Sequence, residues 1–421
     1  MTGPLSHLRV VEMTIAIQGP GAGLYLRDMG ADVIKVEPPI GDLSRYYRAT
    51  NNNLPEEALG SQFVSMNRGK SSVCVDIYSE QGMAAVKRLI ASADVFLSNY
   101  RQIALDRMGL SYEAVRVINP QMIYAVANGF GPEGPDADKT MLDGAAIARG
   151  GLASMTGPAD GSPMAPGATI ADTAGAMQLA LGIVTALVAR ERDGKGQKVQ
   201  TSALGAQLWL QMWDLTHSWM TGVPLRRKGT HHPNINAPYG IYETADAGHF
   251  LFAVAQTNEA WDAFWIFADD PLESINPKWD TPAKRLGSST TFEDTMQIQE
   301  KMRKVFKTKT TAQWDEFLVG QPEIVYERIK GYEDVLDDPQ VIANEYIESM
   351  NIDHIGETTI VGNLVRMSES TPSTKGPPPV LGADTERILG ELGFSSDEIQ
   401  SVVEAADQAR DEMMADKWEA E

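Results

Sequence analysis

The sequence predicts an α/β fold, with a mostly parallel sheet in a large N-terminal unit and a second, smaller unit after it. Three observations lead there. Short apolar runs alternate with segments of helical spacing over the first 130 residues. Composition shifts near Pro224, where a loop rich in Asn, His and Pro precedes short strands and Lys/Glu-rich helices. A proline-rich stretch, Ser368–Pro379, then reads as an extended crossing to a terminal helical segment at 384–421. The 421 residues suit two or three folding units, and 43% hydrophobic with 22% charged residues describes an ordinary globular chain.

Each element follows from its local pattern. Leu8–Met13 (LRVVEM) reads as a buried strand, and Gly19-Pro20-Gly21-Ala22-Gly23 as a turn opening a helix that runs to about Met29. Asp32–Glu37 and Ser72–Ile77 are the next strands. Gln81–Ala91 sets Met83, Val86, Leu89 and Ile90 on one helical face. Asp94–Ser98 and Met122–Ala127 are further apolar strands, and strands separated by helices pair in parallel. After Asp143 the chain turns helical and small, leading to a long apolar helix over Ala174–Arg190. Lys198–Ser202 is the last strand of the first unit, followed by a helix holding Trp209, Trp213 and Trp219. Phe250–Val254 is a strand of the second unit, and 334–346 reads as a linker plus helix.

Charge narrows the function. With 36 bases and 57 acids the net charge is −21, which excludes a protein that docks on nucleic acid through an overall basic face and argues against an anionic membrane surface. An anionic ligand remains compatible where bases gather locally. Nine acids and two bases fall between Asp397 and Glu421, a stretch that reads as a solvated helix. Cys74 is the single cysteine, so no internal disulfide is possible and a reducing, cytoplasmic setting is expected. The N-terminus carries no signal-peptide pattern, and Ala174–Ala189 is too short and too mixed to span a bilayer comfortably.

Several residue sets carry chemistry. The glycine turn after the first strand offers amides to a phosphate, with Glu37 where a ribose-binding acid sits; the plainer reading is a tight strand-to-helix turn needing small residues. Lys35, Arg45, Arg48, Arg68, Lys70, Arg101 and Arg107 cluster near the turns of one half, where the loops of an open α/β sheet form the ligand crevice and can bind a polyphosphate. Asp143 begins a helix: it is either an N-cap or a carboxylate nucleophile held ionised by the helix terminus. Asp172, at the start of the apolar helix, reads as an N-cap. His231-His232-Pro233-Asn234 has no metal-ligand spacing, so no metal is expected. Nucleophile-elbow and P-loop motifs are absent from the sequence.

Taken in order, the segments LRVVEMT, GADVIKVEPPIGD, MNRGKSSVCVDI, DVFLSNYR, INPQMIYAVANGFGPEGP, MLDGAAIARGGLASMTG, IADTAGAMQLALGIVTALVARERDGKGQKVQTS, HHPNINAPYGIYETADAGHF and LGADTERILGELGFSSDEI resemble the class III coenzyme A transferases, the CaiB/BaiF family. The resemblance implies a Rossmann-like large domain with a second, smaller α+β domain and an interlocked homodimer. The expected division is 1–205 for the first part of the large domain, 206–224 for a linker helix, 225–333 for the small domain, and 334–421 for the linker and return to the large domain.

The same resemblance implies transfer of coenzyme A from an acyl-CoA donor to a carboxylic acid acceptor, through an aspartyl anhydride and an aspartyl-CoA thioester on Asp143. It places coenzyme contacts at Gln18, Lys35, Asn67, Arg68, Lys70, Asn99, Tyr100, Arg107 and Lys139, and substrate contacts at His232 and Asn234; the chemistry itself makes the Gly144 backbone amide a candidate oxyanion donor. Coenzyme A and acyl-CoA are substrates, and no tightly bound cofactor or metal is expected. Family racemases of 2-methylacyl-CoA pair a histidine at the Leu142 position with an aspartate at the Asp172 position; with Leu142 here, Asp172 alone does not supply both faces, so racemisation is only the alternative and a nicotinamide-dependent oxidoreductase the remoter one. No GGGG loop is present, and Lys228–Tyr239 stands in its place.

Overall fold

A computed structural model of the chain describes residues 3–49, 53–235, 237–285, 289–374 and 376–419. Asn236 in the 228–239 loop, Lys375 in the proline-rich crossing and the last two residues of the acidic tail lie outside the described residues. The chain forms two compact units, Met1–Gly150 with Ala168–Leu210 and Pro339–Glu421, and Gly151–Gly167 with Gln211–Asp338.

In chain order, the elements are β1 (Arg9–Met13), α1 (Gln18–Asp28), β2 (Asp32–Glu37), α2 (Ser61–Asn67), β3 (Ser71–Cys74), α3 (Glu80–Ala91), β4 (Val95–Ser98), α4 (Gln102–Arg107), α5 (Tyr112–Ile118), β5 (Ile123–Asn128), α6 (Asp143–Arg149), α7 (Leu152–Met155), α8 (Ile170–Asp193), β6 (Gln197–Ser202), α9 (Ala203–Leu210) and α10 (Met212–Thr221). They continue with β7 (Gly240–Glu243), β8 (His249–Ala255), α11 (Asn258–Phe267), α12 (Pro282–Arg285), α13 (Phe292–Phe306), α14 (Thr311–Val319), β9 (Ile324–Arg328), α15 (Tyr332–Leu336), α16 (Pro339–Ala343), β10 (Ile347–Ile352), β11 (Gly356–Val361), α17 (Thr385–Glu391) and α18 (Ser396–Glu419).

The first unit is built on a six-stranded parallel sheet in the order β3-β2-β1-β4-β5-β6. Strand side chains alternate between two cores. Val11, Ile34, Val73, Phe96 and Tyr124 pack with α3, α5, α17 and α18 on one face. Val10, Val33, Val95, Leu97 and Ile123 pack with α1 and α8 on the other. Both faces are covered, which is why the strands read as near-continuous apolar runs. On α3, Val86, Leu89 and Ile90 are fully buried, and truncating Leu89 to alanine would cost about 2–5 kcal/mol.

The sheet's first edge, β3, is closed by the returning chain. Ser373 N donates to Asp28 O and Gly69 N to Pro377 O at 2.8 and 2.9 Å. The edge amides of Ser72 and Cys74 then donate to Asp384 Oδ2 and Thr385 Oγ1, both at 3.0 Å, so no open ladder is left there for another chain. The antiparallel hairpin β10–β11 precedes this return and is not foreshadowed in the sequence.

The glycine stretch 19–23 lies inside α1 rather than forming a turn. A Cβ on Gly23 would stand 1.8 Å from Glu12 Oε2, one on Gly19 2.6 Å from Thr14 Cγ2, and one on Gly21 2.9 Å from the Ala176 Cβ. These glycines let α1 lie directly against β1 and α8, which corrects the reading of the stretch as a phosphate-holding turn. The apolar helix is longer than expected, Ile170–Asp193, and stops at Gly194 in the left-handed region (φ +68°). By length and composition α8 is long and apolar enough to cross a membrane; in this fold it packs against α1, α9, β5 and β6.

The second unit has its own core. A three-stranded antiparallel sheet, β7-β8-β9, packs on an aromatic cluster in which Trp261, Trp265, Trp279, Trp314, Phe264 and Phe306 are buried. The Phe306 and Trp314 rings stack at 4.4 Å, the kind of contact that adds to plain burial. Arg227 holds the 151–167 segment by donating to Ser154 O, Pro158 O and Gly161 O at 3.0, 3.2 and 2.8 Å. The tryptophan-bearing helix breaks at Gln211, with α9 in the first unit and α10 in the second.

Candidate active site

Two aspartates meet where α6 and α8 begin. The loop leaving β5 delivers Asp143 as the first residue of α6, with Leu142 before it exposed. Asp143 Oδ1 accepts hydrogen bonds from Ala171 N at 2.7 Å and Asp172 N at 3.0 Å. Both donors belong to the first turn of α8, whose own N-cap position, Thr169, makes no side-chain cap bond. Asp143 therefore caps a helix 28 residues further along the chain. Asp172 is not the cap expected of it; it lies in the first helical turn, and among the described residues no group donates to its carboxylate. Burial, and secondarily the neighbouring Asp143 charge, push its pKa up to about 6. The helix α8 runs back along parallel strands, so its N-terminus lies at their carboxyl ends, the ligand side of an open α/β sheet.

The strand order reverses between β1 and β4, and side chains tie that junction together. Asn99 Oδ1 accepts from Ile15 N at 2.9 Å while Asn99 Nδ2 donates to Ile15 O at 2.8 Å. Next to Ile15, Ala16 holds φ +63°, a conformation that costs free energy for a residue with a Cβ. Gln18 is buried; in the amide orientation its surroundings require, its nitrogen donates to Asn128 O at 3.3 Å and its oxygen accepts from Ala203 N at 3.1 Å. Tyr100 leads out of β4, with burial pushing its phenol up to about 12.

Among the bases expected in a crevice, Lys35, Arg45, Arg68 and Lys70 are buried in ion pairs. Lys35 and Lys70 are fully buried on the shared carboxylate of Glu12. Lys70 Nζ donates to both Glu12 oxygens at 3.0 and 2.9 Å, to Pro20 O at 2.8 Å and to Asn67 Oδ1 at 3.0 Å, and burial pulls its pKa down to about 8. Lys35 Nζ lies 3.0 Å from Asp42 Oδ2, 2.9 Å from Thr14 O and 3.4 Å from Glu12 Oε1. Arg68 makes a two-pronged pair with Asp28, and Arg45 one with Glu37 while lying 3.9 Å over the Phe63 ring.

Four bases thus face four acids, and the cluster has no excess positive charge to attract a polyphosphate. Asn67 is buried as well. The expectation that Lys35, Asn67, Arg68 and Lys70 hold the coenzyme with free polar ends does not fit this placement; a buried charge needs a partner, and each base has found one inside. Arg101, Arg107 and Lys139 remain exposed on the segments that follow β4 and β5. Lys139 and Arg149 both lie over the Phe130 ring, at 5.6 and 4.9 Å, and Arg149 also pairs with Asp136.

Gly144 is exposed, with no atom within 4 Å of where a Cβ would stand. His232 and Asn234 are half-buried in the second unit. His232 stacks on Trp213 at 5.8 Å, its Nδ1 accepts from Asn234 N at 3.1 Å, and its Nε2 stands 3.9 Å from Asp214 Oδ1. Asp214 was not singled out from sequence; only the folded loop brings it to the histidine. Burial drives the His231 pKa down to about 4, so that ring is neutral near pH 7. Among the described residues no group of three or more His, Cys, Asp or Glu side chains is placed to hold a metal.

Residues 5–385 match the model of CoA-transferase family III, and the chain belongs to that family. It is 32% identical over 391 residues to the succinyl-CoA:glutarate CoA-transferase of Mus musculus, covering 92% of this chain and 86% of that one. It is 31% identical over 405 residues to the succinyl-CoA:mesaconate CoA-transferase of Haloarcula marismortui (94% and 98% covered). With the formyl-CoA:oxalate CoA-transferase of Streptomyces avermitilis it shares 30% over 416 residues (95% and 98%). The crystal structure of a CaiB/BaiF family protein from Brucella suis superposes with a TM-score of 0.79 at 28% identity, covering 93% of this chain and all of that one. The protein is a transferase enzyme acting in class III coenzyme A transfer.

Proposed function

We propose that the protein moves coenzyme A between an acyl-CoA donor and a carboxylic acid acceptor by covalent catalysis on the Asp143–Asp172 pair. A carboxylate attacks the thioester carbonyl, the C–S bond breaks, and the CoA thiolate leaves a mixed anhydride behind. The thiolate then attacks the aspartyl carbonyl, releasing the donor acid and forming an aspartyl-CoA thioester. An acceptor carboxylate attacks that thioester, and the returned thiolate takes the acceptor's acyl group, regenerating the aspartate.

The sequence expectation puts the nucleophile at Asp143. The hydrogen bonding favours Asp172 instead, and this is the observation that carries the reading. Asp143 has one oxygen committed to two α8 amides, whereas the Asp172 carboxylate accepts no hydrogen bond among the described residues. A half-buried, weakly solvated carboxylate is a better nucleophile than a hydrated one. With a pKa of about 6, roughly nine-tenths of it is ionised at pH 7. Asp143 then fixes the start of α8 and keeps Asp172 from being too acidic.

In this proposal the coenzyme lies over the switch point of a Rossmann-like sheet. Arg107 and Lys139 meet its phosphates, Tyr100 and Asn99 shape the crevice, and Gln18 joins α1 to the end of β5. The buried Lys35, Asn67, Arg68 and Lys70 support that floor from within. The Gly144 amide is a proposed oxyanion donor, and His232 and Asn234 are proposed substrate contacts on family resemblance. An interlocked, cytoplasmic homodimer is proposed on the same resemblance, its dimer mass testable by light scattering. The test of the reaction is hydroxylamine trapping: acyl-CoA plus enzyme should yield an aspartyl hydroxamate at Asp172. Deuterium exchange at the acyl α-carbon without any acceptor acid would instead indicate the racemase reading.

A further inference from the structure

The first unit contains a half-open cavity of ≈ 580 Å³ between α1, α2, α8 and the β10–β11 hairpin. Its walls are mainly aliphatic, with Ile17, Leu24, Val64, Ala176, Ile352 and Ile360 among them. The charged residues of its described lining are Asp28 and Arg68, and these satisfy each other in a two-pronged pair. One further polar atom in the lining, Asn363 Nδ2, is buried with no hydrogen-bond partner, and it is neutral.

Neither carboxylate lines the cavity, but it reaches the start of α8 next to Asp172. Thr173 lines it, and Ala176 lies one helical turn from Asp172 on the same face of α8, about 6 Å along the axis. An acyl group joined to Asp172, or to the sulfur that Asp172 displaces, has this space within reach of its first few carbons.

We propose that this cavity is the acyl pocket and that the donor or acceptor it selects is an apolar acyl group of medium length, not a dicarboxylate. The inference rests on the reading of the Asp143–Asp172 pair as the reaction centre. The volume falls in the range of small-molecule sites. A terminal carboxylate placed here meets no unpaired cation among the described lining, and a desolvated, unpaired anion is strongly disfavoured. A methylene buried from water gains about fourfold in affinity, so six carbons should exceed two by on the order of a hundredfold.

The experiment compares kcat/KM for acetyl-, hexanoyl-, octanoyl- and succinyl-CoA as donors to one acceptor, in the full-length protein. Hexanoyl- and octanoyl-CoA should exceed both acetyl- and succinyl-CoA by at least about tenfold. Thr358→Trp, which fills the cavity from the hairpin, should lower the octanoyl-to-acetyl ratio at least about tenfold, with thermal melting confirming the fold. Ile360→Arg, which places a cation in the wall, should raise the succinyl-to-hexanoyl ratio. Succinyl-CoA preferred by the wild type, or an octanoyl-to-acetyl ratio that Thr358→Trp leaves unmoved, overturns the pocket while leaving the reaction intact. No transfer from any donor, with no adduct on either aspartate, removes the reading on which the pocket rests.

Discussion

Replacing Asp172 with asparagine should make the protein inactive and more stable at the same time. Burial and the Asp143 charge raise the Asp172 pKa from 3.8 to about 6. A carboxyl whose folded pKa is raised binds its proton more tightly in the folded state. Its charged form therefore costs stability, fully above about pH 6, progressively less between about pH 6 and 4, and not at all below. A rise of that size corresponds to about 3 kcal/mol, and partial exposure reduces this to on the order of 1–3 kcal/mol. Asp172→Asn keeps the shape and removes the charge. Thermal melts of both proteins from about pH 4 to 8 should show the variant more stable at the alkaline end, with the gap closing toward the acid end. Transfer should fall at least ~10³-fold, as loss of a covalent nucleophile does. Wild-type turnover should climb about tenfold per pH unit below the Asp172 pKa and level off above it. A variant less stable than wild type at the alkaline end, or a gap that widens on acidification, would refute the burial argument.

Asp143 should behave differently from its neighbour. Asp143→Ala strands two α8 amides and should cost about 0.5–2 kcal/mol in a denaturation experiment, whereas Asp143→Asn retains an accepting oxygen and most of that stability. Glu12→Gln leaves Lys35 and Lys70 without their shared anion and should destabilise by about 3–5 kcal/mol, visible as a large drop in melting temperature. Arg107→Ala and Lys139→Ala should each raise KM for acyl-CoA several-fold while kcat stays within about twofold, because a phosphate contact remote from the reacting carbonyl binds ground and transition states alike.

Much of the first unit can be read locally. The strands β1 to β5 are short, largely buried segments built on Val, Ile, Leu and Phe, and such segments announce themselves without partners even where Glu12, Lys35 or Glu37 interrupts them. The glycine stretch could not be read that way. Gly19, Gly21 and Gly23 are small because Thr14, Ala176 and Glu12 press on them, and those contacts exist only once α1 lies on β1 and α8. The bases show the same limit: Lys70 sits 58 residues from Glu12 and Arg68 40 from Asp28, so the residues that look free in sequence are spent in the fold. The net charge of −21 hides this, since part of the acid content is buried against those bases. The carboxylate pair was half visible. Both aspartates fall in the first turn of a helix, but which one caps α8 depends on a bond spanning 28 residues. The β10–β11 hairpin scatters Ile347, Met350, Ile352, Ile360 and Val361 among polar residues on partly exposed strands, with no continuous apolar run to announce it.

Locating the covalent intermediate tests the central claim most directly. Enzyme mixed with acyl-CoA and quenched with hydroxylamine, then digested for mass spectrometry, should carry the hydroxamate on Asp172 in the wild type and none in Asp172→Asn. A hydroxamate on Asp143, or full turnover with no adduct on either aspartate, would contradict the account.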